Sequence, residues 1–279
     1  MERERAGGLG TGATESPSAP PARDRPGQVE VLVLGPARIR GACRPFARAS
    51  AFELVVYLAL HPGGVRNDVW ATALWPDRLM APATLHSTAS SARRSLGRAA
   101  DGLDHLPRSH GRLQLRPSVT TDWQRFRVLA ASTDPVHWTS ALDLVRGRPF
   151  DGLVHAEWAV FEGIVAEMEE RVAELACRIA DRHLGRGSVR AAALAARRGL
   201  LVSPYDERLY RRLLRCADLL GNPAGVERVM GELLSHLDPG SVVRDGAFDL
   251  EAVHPETAEL YSSLSRRRRH DPGAATVTG

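Results

Sequence analysis

Apolar residues recur at helical spacing along most of the chain, and strand-like runs occur only in its first half. A run of Val and Leu at 29–34 ends at Gly-Pro and predicts a strand, with a short return strand before Gly41. Three helices are predicted next, at about 50–60, 67–74 and 82–98, because each has an apolar stripe and ends near Gly or Pro. A half-buried strand is predicted after them, where leucines alternate with polar residues behind a tight basic turn. Three helices followed by a hairpin with a basic tip indicate a winged helix-turn-helix.

From residue 122 onward the pattern predicts helices alone. One long helical pattern covers about 156–184, and shorter ones cover 189–201, 206–220 and 223–237. The first and last of the three shorter helices begin 34 residues apart, which is the period of tetratricopeptide helix pairs. The predicted fold is therefore mainly α with small β-sheets: a winged helix-turn-helix followed by an all-α tetratricopeptide-like helical domain.

Composition and patterning divide the chain into four segments. Residues 1–27 are rich in Gly, Pro and Ala without periodicity, which predicts a disordered segment. The winged helix is assigned to 28–121 and the helical domain to 122–265, closed by a helix at about 255–264. Residues 266–279 are expected to form a disordered basic tail.

The net charge of +4 is unevenly distributed. The predicted winged helix carries +6, whereas the predicted helical domain carries −5. A basic module joined to an acidic one indicates a part that binds a polyanion and a part with another role.

Several classes of protein are disfavoured by the sequence. No apolar run approaches the roughly 20 residues that span a membrane, and the first residues do not resemble a secretion signal. The three cysteines lack CxxC spacing, as in a protein of a reducing compartment. No phosphate-binding GxxxxGK[ST] motif and no GxSxG or HExxH motif occurs. We therefore expect no catalytic residues, no cofactor and no metal. His105 and His110 are the candidate metal ligands, but the Pro between them argues against a metal site.

The third helix has the character of a DNA-reading element. Leu85, Ala89, Ala92 and Leu96 form a thin apolar seam. Hydroxyl, imidazole and guanidinium groups occupy the rest of its surface, and these groups can meet phosphates or base edges in a major groove. The alternative for this helix is a solvated surface with no ligand.

The candidate DNA-binding residues of this helix are Thr84, His86, Ser87, Ser90, Ser91, Arg93, Arg94 and Arg98. Arg94 is the first candidate for a base contact and Arg98 for a phosphate contact. Arg93 could instead pair with an acid inside the domain. In the basic turn, Arg108, His110 and Arg112 could enter the minor groove or hold phosphate, and the alternative is an exposed turn.

The order of segments also carries a family resemblance. The first half resembles the OmpR-type winged helix of the Streptomyces antibiotic regulatory proteins in VEVLVLGPARIRG, FELVVYLALHPGG, VWATALWPD, TLHSTASSARRSLG and LPRSHGRLQL. The second half resembles the bacterial transcriptional activator domain of that family in TDWQRF, ALDLVRGRPFDGL, LLVSPYDERLYRRLLRCADLLGNPAGV and HPETAELYSSL. Together these segments span about 29–265.

The resemblance implies a sequence-specific transcriptional activator that is not an enzyme. Its partners would be double-stranded DNA, at direct repeats near promoters, and RNA polymerase, contacted through the helical domain. It would be a homodimer or a dimer assembled on DNA, located in the cytoplasm with the nucleoid and not on a membrane.

One departure from the family leaves an alternative open. Ser91 and Ala92 stand where the family more often has Arg and Leu, which would make the groove face less basic. The alternative is a protein-interaction scaffold whose winged helix no longer reads DNA, derived from the C-terminal part of a larger actinobacterial protein.

Overall fold

A three-stranded sheet lies at the start of the structure, a computed structural model that describes residues 27–109, 111–237 and 248–270. Strand β1 (Val29–Leu32) lies between β2 (Arg38–Arg40), its antiparallel partner, and β5 (Val119–Thr121), which is parallel to it. The predicted strand and its return strand are confirmed. β5 joins the sheet from the far end of the winged helix, so that β1 is central.

Three helices follow the sheet in the predicted order: α1 (Ala49–Leu60), α2 (Asn67–Leu74) and α3 (Pro82–Leu96). Helix α1 is buried on nearly all sides, since Leu54, Val55 and Val56 are fully shielded from solvent. A helix that is apolar all round needs neighbours on every side. The sheet and α3 supply two of them, and α3 is thereby held with one side against the core.

The strand behind the basic turn has a partner that the sequence did not predict. Strand β4 (Arg112–Leu113) pairs antiparallel with β3 (Val65–Arg66), which lies in the connection between α1 and α2. Val65 is opposite Leu113, and both are buried. The predicted hairpin was therefore wrong in its pairing, because the closest backbone edge to β4 comes from a distant part of the chain.

The second half is helical, with α4 (Asp122–Ala130), α5 (Pro135–Leu142), α6 (Glu157–Phe161), α7 (Ile164–Leu184), α8 (Val189–Leu200), α9 (Glu207–Leu219), α10 (Pro223–Leu237) and α11 (Pro255–His270). Helix α8 packs closely on α7. A Cβ at Gly199 would lie 2.7 Å from the Cβ of Ala176, so only glycine permits this approach. Helices α8 and α10 begin where the 34-residue spacing placed them.

The long helix predicted at 156–184 is divided into α6 and α7. Gly163 lies between them with φ of +73°, a left-handed conformation that interrupts a helix and is favourable for glycine. The apolar periodicity continues on both sides of this residue, and for that reason the sequence pattern predicted a single helix. The break turns α6 toward the winged helix.

Helix α11 extends through His270, into the segment predicted as a tail. The predicted end near 264 was wrong because no Gly or Pro occurs between Leu264 and Pro272, and arginine is a good helix former. The disorder expected for residues 1–26 and 271–279 concerns residues outside the described part.

A buried carboxylate joins the winged helix to the helical domain. Asp122 is 1% exposed and accepts hydrogen bonds from the backbone N–H groups of Val33 (2.7 Å) and Leu34 (3.2 Å). Arg146 donates to the same carboxylate at 3.2 Å and to the carbonyl of Pro36 at 2.9 Å. Burial raises the pKa of Asp122 even though these donors oppose the shift. The two modules are thus connected by a fully hydrogen-bonded polar group.

A second contact lies at the end of α1. His61 Nε2 is 2.9 Å from Glu162 Oε2, and Tyr57 donates its hydroxyl to the same carboxylate at 3.3 Å. Tyr57 also packs edge-on against Trp158 of α6. The helical domain therefore contacts the winged helix at β1, α1 and α2.

Within the described ranges, no helix has both the length and the apolar character needed to cross a bilayer.

Candidate nucleic-acid interface

Helix α3 presents its apolar seam to the core and a polar row to solvent. Ala89, Ala92 and Leu96 are at most 8% exposed. The helix begins at Pro82. Proline has no backbone N–H, and at the first position of a helix an N–H would have no intrahelical acceptor, so no hydrogen bond is lost. It ends at Gly97, with φ of +76°, where a Cβ would lie 2.6 Å from the Cβ of Cys43. A proline therefore defines the beginning of α3, and a glycine with a positive φ defines its end.

The surface of α3 contains most of the predicted contact residues. His86 and Arg94 are exposed, and Thr84, Ser87 and Ser90 are partly exposed. His86, Ser87, Ser90 and Arg94 stand on the side of the helix away from its seam, whereas Thr84 lies near the start of the helix in the stripe of Thr88, Ser91 and Ser95. Imidazole, hydroxyl and guanidinium groups are therefore available together on one surface.

Ser91 does not belong to this surface, in contrast to the sequence prediction. It is 7% exposed and faces inward with Thr88 and Ser95, which are 1% and 5% exposed. Ser95 donates to the carbonyl of Pro45 at 3.2 Å. The buried sector of α3 is wider than its apolar seam, because small hydroxyl side chains also fit against α1 and the preceding loop.

Adjacent serines on α3 provide a matched test. We expect Ser90→Ala to weaken DNA binding by about 2- to 5-fold if its hydroxyl contacts the duplex, which corresponds to one ordinary hydrogen bond. Ser91→Ala should leave DNA affinity unchanged, because its side chain lies inside. Fluorescence anisotropy with a labelled duplex measures both, and a larger loss for Ser91→Ala would contradict the assignment of faces.

Arg93 has a structural role in addition to its position beside the polar row. Its Nε donates to the carbonyl of Leu106 at 2.7 Å, and Nη2 lies 3.4 Å from the carbonyl of Pro107. Desolvation lowers the pKa of Arg93, and the nearby charge of Arg108 lowers it further. The alternative of pairing with an acid is replaced by pairing with backbone carbonyls. Arg93 therefore positions the segment that leads into the basic turn.

Arg98 lies beyond the end of α3 and not on its groove side. Its side chain is 73% exposed, and Nε lies 3.4 Å from Asp104 Oδ1. The backbones of the same two residues form an isolated β-bridge. Arg98 is thus placed at the edge of the surface of α3, beside Asp104.

Both described arginines of the basic turn are exposed, and one of them, Arg112, is also held by hydrogen bonds to the protein. Arg108 is exposed, and His110 lies outside the described residues. Arg112 donates Nη2 to the carbonyls of Gly63 and Gly64, at 3.0 Å for Gly64. Arg112 therefore secures β4 to the turn after α1 and is also exposed, and its contact with DNA stays a prediction.

One arginine of this surface was missed by sequence reasoning. Arg48, immediately before α1, donates Nη1 to the hydroxyl of Ser87 at 2.5 Å and is itself exposed. The two residues are separated by 39 positions, and no motif connects them. Arg48 therefore adds a positive charge beside the row of α3.

His105 is a core residue. It is 1% exposed, its Nδ1 lies 2.8 Å from the Ser118 hydroxyl, and burial lowers its pKa. In the described part of the chain, no three His, Cys, Asp or Glu residues are grouped as a metal site would require.

A family model matches the helical half of the chain. Residues 129–239 match the bacterial transcriptional activator domain. The matched range lies within the segment predicted as that domain, and the match confirms the resemblance of the second half of the chain to it. No curated protein matches the chain in sequence.

A solved structure supports the same architecture. The chain is similar to Mycobacterium tuberculosis EmbR, which was solved in complex with a low-affinity phosphopeptide. The TM-score is 0.59 and the sequence identity 21%, over 87% of this chain and 65% of that one. The similarity confirms the predicted fold of a winged helix followed by a helical domain.

Proposed function

We propose that this chain, which carries a bacterial transcriptional activator domain behind a winged helix, is a sequence-specific DNA-binding transcriptional regulator. It acts as an activator: the winged helix binds direct repeats near promoters, and the helical domain contacts RNA polymerase. The winged helix is residues 28–121 and the helical domain residues 122–265. This activity places the protein with the nucleoid in the cytoplasm.

The observation that carries the proposal is the open polar row of α3. The acidic helical domain packs against β1, α1 and α2, as the contacts of Asp122 and Glu162 describe. The polar side of α3 stays at the surface, with Arg94 exposed near its end. A basic surface around an exposed helix can bind phosphates on both sides of that helix while the helix reads bases.

Direct repeats imply two copies in the same orientation on the duplex. The two copies would either associate before binding or assemble on DNA, with half-sites one helical turn apart on the same face. A bidentate arginine contact to guanine is worth about 1–3 kcal/mol of discrimination. The remaining affinity would come from phosphate contacts, with Arg98, Arg108 and Arg48 as candidates.

The test is selection of bound sequences from a randomised duplex pool, followed by footprinting of the selected site. We expect a repeated motif with a spacing of roughly 10–11 base pairs between half-sites. Binding should weaken with salt, with a slope of log K against log salt of about −2.7 or steeper for three or more phosphate contacts. Failure to enrich any motif at low salt would contradict the proposal.

The scaffold alternative rested on Ser91 and Ala92. Both side chains lie against the core, at 7% and 0% exposure. An arginine at either position would have to leave the interior. The polar row therefore consists of His86, Ser87, Ser90 and Arg94, without a contribution from Ser91.

A further inference from the structure

A cavity of about 480 Å³ opens at the junction of the winged helix and the helical domain. It is bounded by the end of α1, one side of α2 and helix α6. Its lining residues are Tyr57, Asp68, Val69, Thr72, Ala73, Pro76, Glu157, Trp158, Phe161 and Glu162. This volume lies in the range of small-molecule sites.

The floor of this junction cavity is apolar and aromatic. Trp158 and Tyr57 are buried beneath it and meet edge to face, with ring centroids 4.7 Å apart. Phe161 is 86% exposed and Val69 48% exposed, on opposite helices. Large apolar side chains left open around a concave surface indicate a place where an apolar body binds.

The rim of the cavity carries charge of one sign only. Asp68, Glu157 and Glu162 are carboxylates, and the lining includes no Arg, Lys or His. This composition is unexpected in the winged-helix half, which is strongly basic. Carboxylates beside aromatic rings attract a cation through both ion pairing and the ring quadrupole.

The three carboxylates differ in how far the protein already satisfies them. Asp68 is paired with Arg66 at 2.7 Å, and Glu162 with His61 at 2.9 Å. Glu157, in the first turn of α6, is exposed and has no ion pair within the described ranges. Glu157 is therefore the carboxylate most available to a ligand.

We propose that the junction cavity binds a small organic cation with an apolar body. The ammonium group lies beside Glu157 and within reach of Glu162, and the apolar body lies against Trp158 and Phe161. The acidic lining disfavours an anion or a nucleic acid. The occupied site touches both modules, because α2 belongs to one and α6 to the other.

The probe for this site is tryptamine, an aromatic ammonium ion, and the matched control is indole-3-propionate, which has the same ring and a negative charge. Isothermal titration of the full chain at low salt should give a dissociation constant of about 1 mM or tighter for tryptamine, as expected for a ligand of this size. The anionic analogue should bind at least about 10-fold more weakly.

Variants locate the binding. Glu157→Gln should weaken tryptamine binding about 3- to 5-fold and Phe161→Ala by a similar factor, because one removes the ion pair and the other part of the apolar wall. Glu174→Gln, an exposed change on α7, should have no effect. Circular dichroism confirms that each variant is folded.

The proposal is overturned by any of three results. The first is no binding of tryptamine up to about 10 mM, a concentration at which a site with a 1 mM constant is mostly occupied. The second is equal binding of the cation and the anion. The third is unchanged binding in both Glu157→Gln and Phe161→Ala. The assay contains no DNA, so its outcome is independent of the proposed regulator function.

Discussion

Replacing Asp122 with Ala is expected to lower the free energy of unfolding by about 3 kcal/mol or more. The substitution leaves the N–H groups of Val33 and Leu34 without their acceptor and removes the partner of Arg146. Buried donors without acceptors cost roughly 1–3 kcal/mol each. Urea denaturation followed by circular dichroism measures the effect.

Asp143→Ala is the matched control for this prediction. Asp143 lies in the same domain, is 65% exposed and has only a 3.6 Å ion pair with Arg198. An exposed pair of this kind contributes about 0–1 kcal/mol. Equal losses for the two variants would show that the junction at Asp122 has no special role in holding the modules together.

The double variant Arg94→Ala/Arg98→Ala is expected to bind its selected duplex about 100-fold more weakly than the native chain. Arg94 is the candidate for a base contact, worth about 1–3 kcal/mol, and Arg98 for a phosphate contact. Both side chains are exposed, so stability should change little. A mobility-shift titration across several salt concentrations measures affinity and salt dependence together.

The control variant removes two positive charges from another part of the chain. Arg182 and Arg186 are exposed near the end of α7 in the helical domain. Their double replacement by Ala should alter affinity by much less, and it should leave specificity intact. In the Arg94/Arg98 variant the salt slope should become shallower by about 1. If both double variants lose the same affinity, binding depends on total charge and not on the row of α3.

The apolar periodicity determined the order and type of nearly all elements. Helix α3 was readable because Leu85, Ala89, Ala92 and Leu96 repeat at the helical period, and local spacing is a property of the chain itself. The winged helix and the helical domain were likewise predicted, since each rests on short-range patterns. The break between α6 and α7 depends on the single residue Gly163. It was not predicted, because the apolar periodicity continues on both sides of it.

Pairings between distant residues were decided by the tertiary structure alone. The partner of β4 is β3, the acceptors of Arg112 are Gly63 and Gly64, and Arg48 meets Ser87. In each case the residues are far apart in sequence, and packing of α1 against its neighbours brings them together. The inward direction of Ser91 has the same cause: a small hydroxyl side chain suits either surface or interior, and only the neighbouring elements determine which it occupies.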